Sequence, residues 1–569
     1  MGGRSKTPSF IVTRRIQPDD WQKAYLNKIF LEVGWLYNDT LAEAEKRAAA
    51  MKANKGCQSV LAYKDTLSSE ISRFEKQISA RTKQTDKTKD LSLKKRLTRE
   101  IAIYEQGLEG LKMDLERCSA SLKKICQAFG FTESDLQTYT NRLRNEKYNG
   151  DIQSNIAQKI ATAAWQAEEK VFYGNGRKVH YRKRGTSGSF EDKSAKSGII
   201  YHPADPARKK RPFEHVSIMG HPMHLKPIRK GDAWLKEAMM HKVKYCRVTR
   251  KAHGNDYHYF LQIIMEGESP VKHPMGKGSA GLDPGVSTMS YDSEEGTEML
   301  FLSPDIARYQ KAVKNASLVY ERRRRLANPQ NYNEDGTIKK DTKDFKKTWK
   351  QTKGVLKALM TLKTAYRKMS EYVRQFNGHL SNQLLMKISE LNEESMDYKA
   401  LAKRAKSCKR QKKSSVVKNK KGKAKPIHKY TRKKRFGASI LKHAPAGFLR
   451  MLERKIHRQG GIVNELNARK MKASQYDHVT DTCTKHELSD RTKMVGWDLV
   501  QRDLYSCFLM RHADKNGNID RQACIDDFDA FLKRQKAFVQ YLIANGGDPT
   551  GNFGLDEFKK QMPELQTPA

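Results

Sequence analysis

Apolar positions along the chain fall into three textures. From about Asp20 to Phe172 they return at helical spacing. A first helix containing WLYNDTLAEAEKRAAAM is expected to about Met51, and a long helical region continues beyond it. Within that region Leu67, Ile71, Phe74 and Ile78 share one face, and a turn-like KQTDKTKD interrupts the pattern. The spacing predicts an antiparallel hairpin inside the chain, although a coiled-coil arm for dimerisation has the same period. Residues 8 to 17 read as a strand. From about Gly174 to Gly267 the runs KVHYRKR, GIIYHP, VSIMG, YCRVTRKA and YHYFLQIIMEG are bounded by glycine, proline and asparagine. With the N-terminal strand they predict a small closed β-barrel. The third texture begins near Ser279. It shows strands around Asp283, helices from about Asp305 to Leu385, then FLRMLERKIHRQ as a helix and GIVNELNARKM as a strand, an α/β layer. One or two helices are expected from Arg521 to Asn545, with a partly disordered tail after Gly546.

Charge adds a partner to this outline. Lys plus Arg number 110 against 64 Asp plus Glu, a formal net charge of +46, and an excess of that size implies a polyanion. Its binding should depend steeply on salt. The run from Lys403 to Arg435 is roughly half basic and holds no acid, so it cannot bury a core. It is expected to be disordered when free and to order on phosphate through Lys409, Arg410, Lys412, Lys413, Lys420, Lys421, Arg432, Lys433, Lys434 and Arg435. A second cluster, Arg322, Arg323, Arg324 and Arg325, ends a helical segment and can fork to duplex phosphates, as well as forming an ordinary charged helix face. Basic and aromatic residues interleave at Tyr181, Arg182, Lys183 and Arg184, a pattern that suits RNA and an ordinary exposed strand alike. The eight scattered cysteines form no disulfide framework, which suits a reducing cytosol. No stretch reads as a signal peptide or membrane span, so a cytoplasmic, soluble protein is expected, nucleoid-associated when bound to DNA.

Acidic residues carry the candidate chemistry. In GLDPGVSTMSYD, Asp283 stands between an apolar strand and a turn made by Pro284 and Gly285, where a carboxylate can face a cleft; an Asx turn would use the same residues. SELNEESMDYKAL, after the long helical stretch, carries Glu393, Glu394 and Asp397, placed there like acids of a solvated loop. In LVQRDLYSCFLM, Asp503 opens a helix, a position the helix dipole favours in any case. Three acids on separate segments of a very basic chain form a candidate two-metal site. Phosphodiester cleavage needs an attacking water, a stabilised leaving oxygen and charge relief. Two Mg2+ ions held by hard carboxylate oxygens supply all three.

GLDPGVST, EESMDYKAL and ARKMKASQYDHVTDTCTKHELSDRTK leading into VQRDLYSCFL together resemble the RuvC-like nuclease half of transposon-encoded TnpB proteins, RNA-guided nucleases related to compact type V CRISPR effectors. LANPQNYNEDGTIKK, IAQKIATAAWQAEEKVF and KYCRVTRKAHGNDYHYFLQIIMEG extend the resemblance over most of residues 8 to 510. It implies an RNA-guided DNA endonuclease that takes a guide RNA and a double-stranded target DNA beside a short motif, cuts with Mg2+, and works as monomer or homodimer. Asp283, Glu394 and Asp503 match the catalytic, metal-holding acids, with Glu393 the alternative by a one-residue slip and Glu465 a runner-up. Arg502 would steady the phosphate.

The implied fold is α+β and multidomain, with a helical recognition lobe, a small β-barrel wedge domain and an RNase H-like (RuvC) α/β nuclease domain. The expected segments are 1–28 (first wedge strand), 29–172 (helical lobe), 173–275 (barrel) and 276–472 (nuclease, with a helical insertion at 305–385 and the basic segment 403–435). Then come 473–498, a degenerate target-nucleic-acid-binding subdomain in the place of a zinc ribbon, and 499–569, the last part of the nuclease with C-terminal helices. The chain departs from the family at that ribbon, because paired CxxC motifs are missing. Only Cys483, His478 and His486 stand there, too few for a four-ligand site, and a zinc-free remnant is expected. Two other functions remain open at this point: RNA-guided DNA binding with weak cleavage, and a RuvC-fold transposase or junction nuclease without guide RNA.

Overall fold

The structure, a computed structural model, describes residues 7–561 apart from 89, 149, 184–186, 208–210, 335, 343, 404–409, 419–423, 431–435, 488–489 and 549–550; for 87, 410–418, 424–430, 468 and 469 it describes the backbone alone. The chain is a mixed helical and sheet protein that divides into two units. One comprises residues 1–251 and 256–270, the other 252–255 and 271–569.

In the first unit strand β1 (Ser9–Gln17) ends at Pro18, and helix α1 (Asp20–Ala53) starts with reciprocal capping. The Asp19 carboxylate accepts from the Gln22 N–H, and the Gln22 amide oxygen accepts from the Asp19 N–H. Asn54 ends α1 and caps α2 (Lys55–Lys87) through the Cys57 N–H, so the chain reverses there. Helix α3 (Leu91–Ala128) runs back along α2. The Phe74 and Tyr104 rings meet edge-on at 5.4 Å, and Arg81 pairs with Glu100 at 2.6 Å. The expected intramolecular hairpin is present, but α2 continues through most of KQTDKTKD, because that segment holds neither glycine nor proline. The break falls where Asp90 caps α3 by accepting from the N–H groups of Ser92 and Leu93.

Helices α4 (Glu133–Tyr148) and α5 (Ser154–Phe172) follow. Strands β2 (Ser189–Glu191), β3 (Ile199–His202), β4 (His215–Ile218) and β5 (His221–Leu225), the short helix α6 (Ala233–Ala238), and strands β6 (Val243–His253) and β7 (Asp256–Glu266) come next. The seven strands order as β2-β6-β7-β1-β5-β4-β3, an open sheet with β2 and β3 at its edges, and not the expected closed barrel. Its apolar face is filled from elsewhere. Leu26, Phe30, Val33 and Leu36 of α1 and Ile156 and Ile160 of α5 share one core with Phe190, Val216, Val248 and Tyr259, in the place where a barrel would close strand on strand.

The second unit is built on a five-stranded sheet of β8 (Gly278–Pro284), β9 (Thr288–Ser293), β10 (Gly296–Phe301), β11 (Ile388–Glu394) and, after two intervening strands, β14 (Ile462–Leu466), in the order β10-β9-β8-β11-β14. β8, β9 and β10 form an antiparallel meander, whereas β8, β11 and β14 run parallel. The parallel crossovers are helical, α7 (Ile306–Ala327) and α8 (Lys353–Leu385) in one, α11 (Pro445–Arg458) in the other, as parallel pairing requires. Alternation then makes three layers. Ala280, Leu282 and Leu391 face Leu384, Leu385, Phe448, Leu452 and Ile456 of α8 and α11. On the other face lie α13 (Arg502–Arg511) and α14 (Arg521–Ala544), whose Tyr505, Phe508, Phe528 and Phe531 form a second core.

Between β11 and β14 the chain also carries α9 (Tyr398–Ala402) and α10 (Gly437–His443), and after β14 come α12 (Ala468–Met471), the short pairs β15 (Tyr476–Asp477) with β16 (Thr482–Cys483) and β17 (Thr492–Val495) with β18 (Asp498–Gln501), and, beyond α14, α15 (Leu555–Gln561). Within the basic run, expected to be disordered, the backbone of β12 (Arg410–Lys418) pairs antiparallel with β13 (Ala424–Tyr430). A main-chain ladder needs no buried core, and β-branched Val416, Val417 and Ile427 favour extended backbone. Lys409, Lys420, Lys421, Arg432, Lys433, Lys434 and Arg435 lie outside the described residues, as do the side chains of Arg410, Lys412 and Lys413. Among the described residues no helix is long and apolar enough to cross a membrane.

Candidate active site

The period of two along β8 decides what Asp283 can face. Ala280 and Leu282 point into the core, so Gly281 and Asp283 point to the opposite side, beneath α13. Gly281 is the seat of that helix. A Cβ there would stand 1.9 Å from the Cys507 carbonyl oxygen and 2.9 Å from the Arg511 nitrogen, so only glycine lets α13 approach the strand backbone this closely. At the far end Asn392 of β11 donates to the carbonyls of Met510 (2.7 Å) and Ala513 (2.9 Å), satisfying the end of the helix. At the near end the Gln501 side chain accepts from the Leu504 N–H at 2.7 Å, while its backbone N–H donates to Gln535 of α14 at 2.8 Å. Phe508 packs on Phe531 with ring centroids 4.8 Å apart. Held at both ends and along its apolar side, α13 brings Asp503, in its first turn, to the end of β8.

The same alternation separates the two adjacent glutamates. Instead of a loop after the long helix, they end β11, paired with β14 through Glu393↔Glu465 and Glu394↔Leu466. Glu394 shares the face of Asn392 and interacts with the Asp503 carboxylate. Glu393 points the other way. It is buried with its Oε2 unpartnered, and burial, then Glu453 of α11 and Glu465, push its carboxyl up to about 8. Glu465 is exposed on the edge strand. Asp397 caps α9, accepting from the Ala400 N–H at 2.9 Å.

Asp283, Glu394 and Asp503 therefore meet at one place, each partly open to solvent. Desolvation, then the charges of Asp503 and Glu394, hold the Asp283 carboxyl well above the usual carboxylate range, against a weaker opposing pull from Arg502. Burial and Asp503 raise Glu394 as well. The nearby cations are few and oblique. Arg502 reaches Asp503 Oδ1 at 3.3 Å while donating to the Glu487 carbonyl at 2.9 Å, and Arg491 stands 3.9 Å from Asp503 Oδ2. Arg502 is thus folded onto its neighbour and largely buried. Tyr398 donates to the Gly285 carbonyl at 2.9 Å and closes the turn after Asp283. That turn is tight for a different reason than a left-handed glycine. A Cβ on Gly285 would lie 2.5 Å from the Thr288 carbonyl oxygen.

The donor set fits hard divalent cations. It offers only carboxylate oxygens, crowded with too little positive charge nearby to balance them, and a cation would relieve that repulsion. Among the described residues no three His, Cys, Asp or Glu side chains enclose a single ion. A two-ion arrangement asks only for pairs, with one carboxylate shared. Gly281, Gln501, Asn392 and Tyr398, which build the site, escaped sequence reasoning as site residues. Gly281 was visible in GLDPG, but its role depends on a helix more than 200 residues later in the chain.

The other candidates fall elsewhere. Arg322 and Arg323 are exposed. Arg324 pairs with Glu321 at 2.7 Å and donates to the Tyr332 hydroxyl at 3.0 Å, and Arg325 donates to the Gly336 carbonyl at 3.3 Å, so these two serve the local fold. In the segment of the expected ribbon Cys483 is exposed, whereas His478 is buried, with its Nδ1 2.7 Å from the Tyr505 hydroxyl.

No family model matches the chain, and no curated protein matches it. Among solved structures it is similar to the cryo-EM structure of a Cas12f1-sgRNA-target DNA complex, with 10% identity and a TM-score of 0.39 over 89% of this chain and 99% of that one. It is also similar to a cryo-EM structure of a CRISPR-Cas12f ternary complex, with 11% identity and a TM-score of 0.23 over 87% of this chain and 98% of that one. Neither score is high enough to carry a common fold, and the functional reading rests on the geometry above.

Proposed function

We propose that the chain is an RNA-guided DNA endonuclease whose second unit is a RuvC-like nuclease cutting with Mg2+. The observation that carries the reading is the meeting of Asp283, Glu394 and Asp503, from two parallel strand ends and one helix start, in a chain of formal charge +46. Asp283, Glu394 and Asp503 would hold the ions through their carboxylate oxygens. Bound Mg2+ would supply an activated water and relieve the phosphate's charge. The residues do the rest. The carboxylates would hold the ions, Gly281 and Asn392 fix the helix that carries Asp503, and Tyr398 holds the turn of Asp283 in place. Arg491, the more exposed of the two nearby arginines, is the side chain better placed than Arg502 to meet phosphate. In this reading a guide RNA pairs with one strand of double-stranded DNA next to a short motif, so base pairing supplies sequence specificity. The basic residues grip phosphate without reading sequence.

The test is to purify the protein from its native locus, sequence the RNA that accompanies it, and present the complex with Mg2+ and plasmids carrying the matching target beside randomised flanks. Cleavage that selects one flank and disappears in Asp283→Ala is the expected outcome. Bound RNA without cleavage would leave a guided binding protein, and no RNA would overturn guidance.

A further inference from the structure

Trp497 is 97% exposed, the most exposed large apolar side chain among the described residues. It stands at the tip of the β17–β18 hairpin, where Val495 pairs with Asp498 and leaves a two-residue loop of Gly496 and Trp497. Gly496, at φ +58°, takes the first central position, as a tight hairpin turn of this hand demands. The second position asks for nothing aromatic, since small polar residues dominate such turns. Beside the tip, Met494 and Val479 are 48% and 43% exposed, and the Val479 methyls lie 3.7 and 3.9 Å from where a Gly496 Cβ would stand. Trp497 thus rises from an apolar shelf, and leaving that surface in water is a cost the hairpin's own stability does not explain.

The hairpin is rigidly tied to the candidate active site. Its ladder runs from Thr492↔Gln501 to Val495↔Asp498, Arg502 donates its N–H to the Arg491 carbonyl at 2.9 Å, and Asp503 follows at once. The four residues of β18, at ~3.3 Å each, span about 13 Å of chain between the tip and the start of the helix that carries that acid. From Tyr476 to Asp503 the described residues include Asp477, Asp481, Glu487, Asp490 and Asp498 against Lys485, Arg491, Lys493 and Arg502, so the segment is not a basic patch. A nucleic acid would be held there by its bases, and every base offers a face on which an indole can stack.

We propose that Trp497 is a stacking platform for a base of the single-stranded DNA entering the site, a few nucleotides from the bond that is cut, and so a positioning residue for cleavage. The inference rests on the nuclease reading above. Its occupant is single-stranded DNA because the platform is continuous, through β18, with acids suited to a phosphodiester, and because the chain's excess charge seeks a polyanion.

The test separates the two readings. Full chain carrying Asp283→Asn, with Mg2+ and bound guide RNA, is titrated with single-stranded oligonucleotides in which 2-aminopurine replaces one base at successive positions. One position quenched, with the quench lost in Trp497→Ala and kept in Trp497→Phe or Trp497→Tyr, is expected. Wild-type chain should lose about ten-fold in cleavage rate on Trp497→Ala, within the range of one stacked base, and recover most of it with Phe. No position-specific quench, or cleavage indifferent to Trp497→Ala, would overturn the platform while leaving the nuclease intact. Absence of cleavage by the wild-type complex would instead sink the nuclease reading. Dimers that dissociate on Trp497→Ala, with no change in the oligonucleotide signal, would assign the tip to a second copy and overturn the proposal.

Discussion

Two acidic places lie against the ends of α13, and they differ in what surrounds them. At its C-terminal end Asp292, fully buried, receives the Arg511 guanidinium at 2.7 Å and Arg534 at 3.6 Å, and Asp527 takes both arginines as well. Burial raises Asp292, and the arginines and the Thr297 hydroxyl oppose that rise. At Asp527 burial is outweighed by Arg534 and Arg511, and the carboxyl falls below its usual range. At the N-terminal end Asp283, Glu394 and Asp503 crowd together with one arginine contact at 3.3 Å and another at 3.9 Å. Acids matched by guanidinium serve the fold. Acids left short of positive charge are what the proposed metal site requires.

The largest way to sharpen this contrast is catalytic. Asp283→Asn, Glu394→Gln and Asp503→Asn should each lower guided cleavage about a thousand-fold or more, and the triple variant should be no worse than the singles, because the three act as a unit. Gel assays on a matched target measure it. Glu393→Gln should keep far more activity than Glu394→Gln, and equal losses would break the assignment of faces.

Arg511→Met should instead act on stability, costing about 3–5 kcal/mol, since it strips the buried Asp292 of its closest cation. Urea unfolding midpoints at constant slope give the number. A loss of activity without a loss of stability would show that the C-terminal acids are not structural.

A third group, packed against the same helix, is handled by neutrality. His478 lies against Tyr505 and Phe508 and is pushed down to about 4 by burial, from 6.5 when unfolded. Between those values the unfolded chain binds the additional proton. Its contribution is therefore complete above about pH 6.5 and is lost as pH falls toward 4, on the order of 1 kcal/mol per pH unit. His478→Gln should flatten that part of the stability–pH curve, and an unchanged curve would mean that the ring is charged in the fold.

The smallest effect has the opposite sign. In chelator, Asp283→Asn should raise the unfolding free energy on the order of 1 kcal/mol by removing repulsion, as substitutions at strained active sites often do. Mg2+ should stabilise the wild type more than the variant, and a variant less stable than wild type in chelator would remove the claim that the acids repel one another.

Legibility in the sequence varied with the range of the interaction. The α2–α3 hairpin followed from the period of Leu67, Ile71, Phe74 and Ile78, and its turn fell at the end of KQTDKTKD, where Asp90 caps α3. Asp283 and Asp503 were visible through neighbours a few residues away. Glu393 and Glu394 were not separable, since β11 was not recognised after a long helix and a one-residue slip in a strand exchanges its faces. The expected barrel failed because strand texture reports which residues are extended and not which edges meet.

Local chemistry by itself determined the strand that carries Asp283, the helix that carries Asp503, the Pro284–Gly285 turn between that strand and the next, and the charge that calls for a polyanion, because each depends on residues close in sequence or on a sum over the whole chain. Only the tertiary structure decided that α13 rests on Gly281, that Glu394 and not Glu393 meets Asp503, that Arg511 neutralises Asp292, and that the seven-stranded sheet stays open. Those outcomes depend on which distant surfaces pack together, and packing is settled by burial and shape across hundreds of residues, which no local pattern encodes.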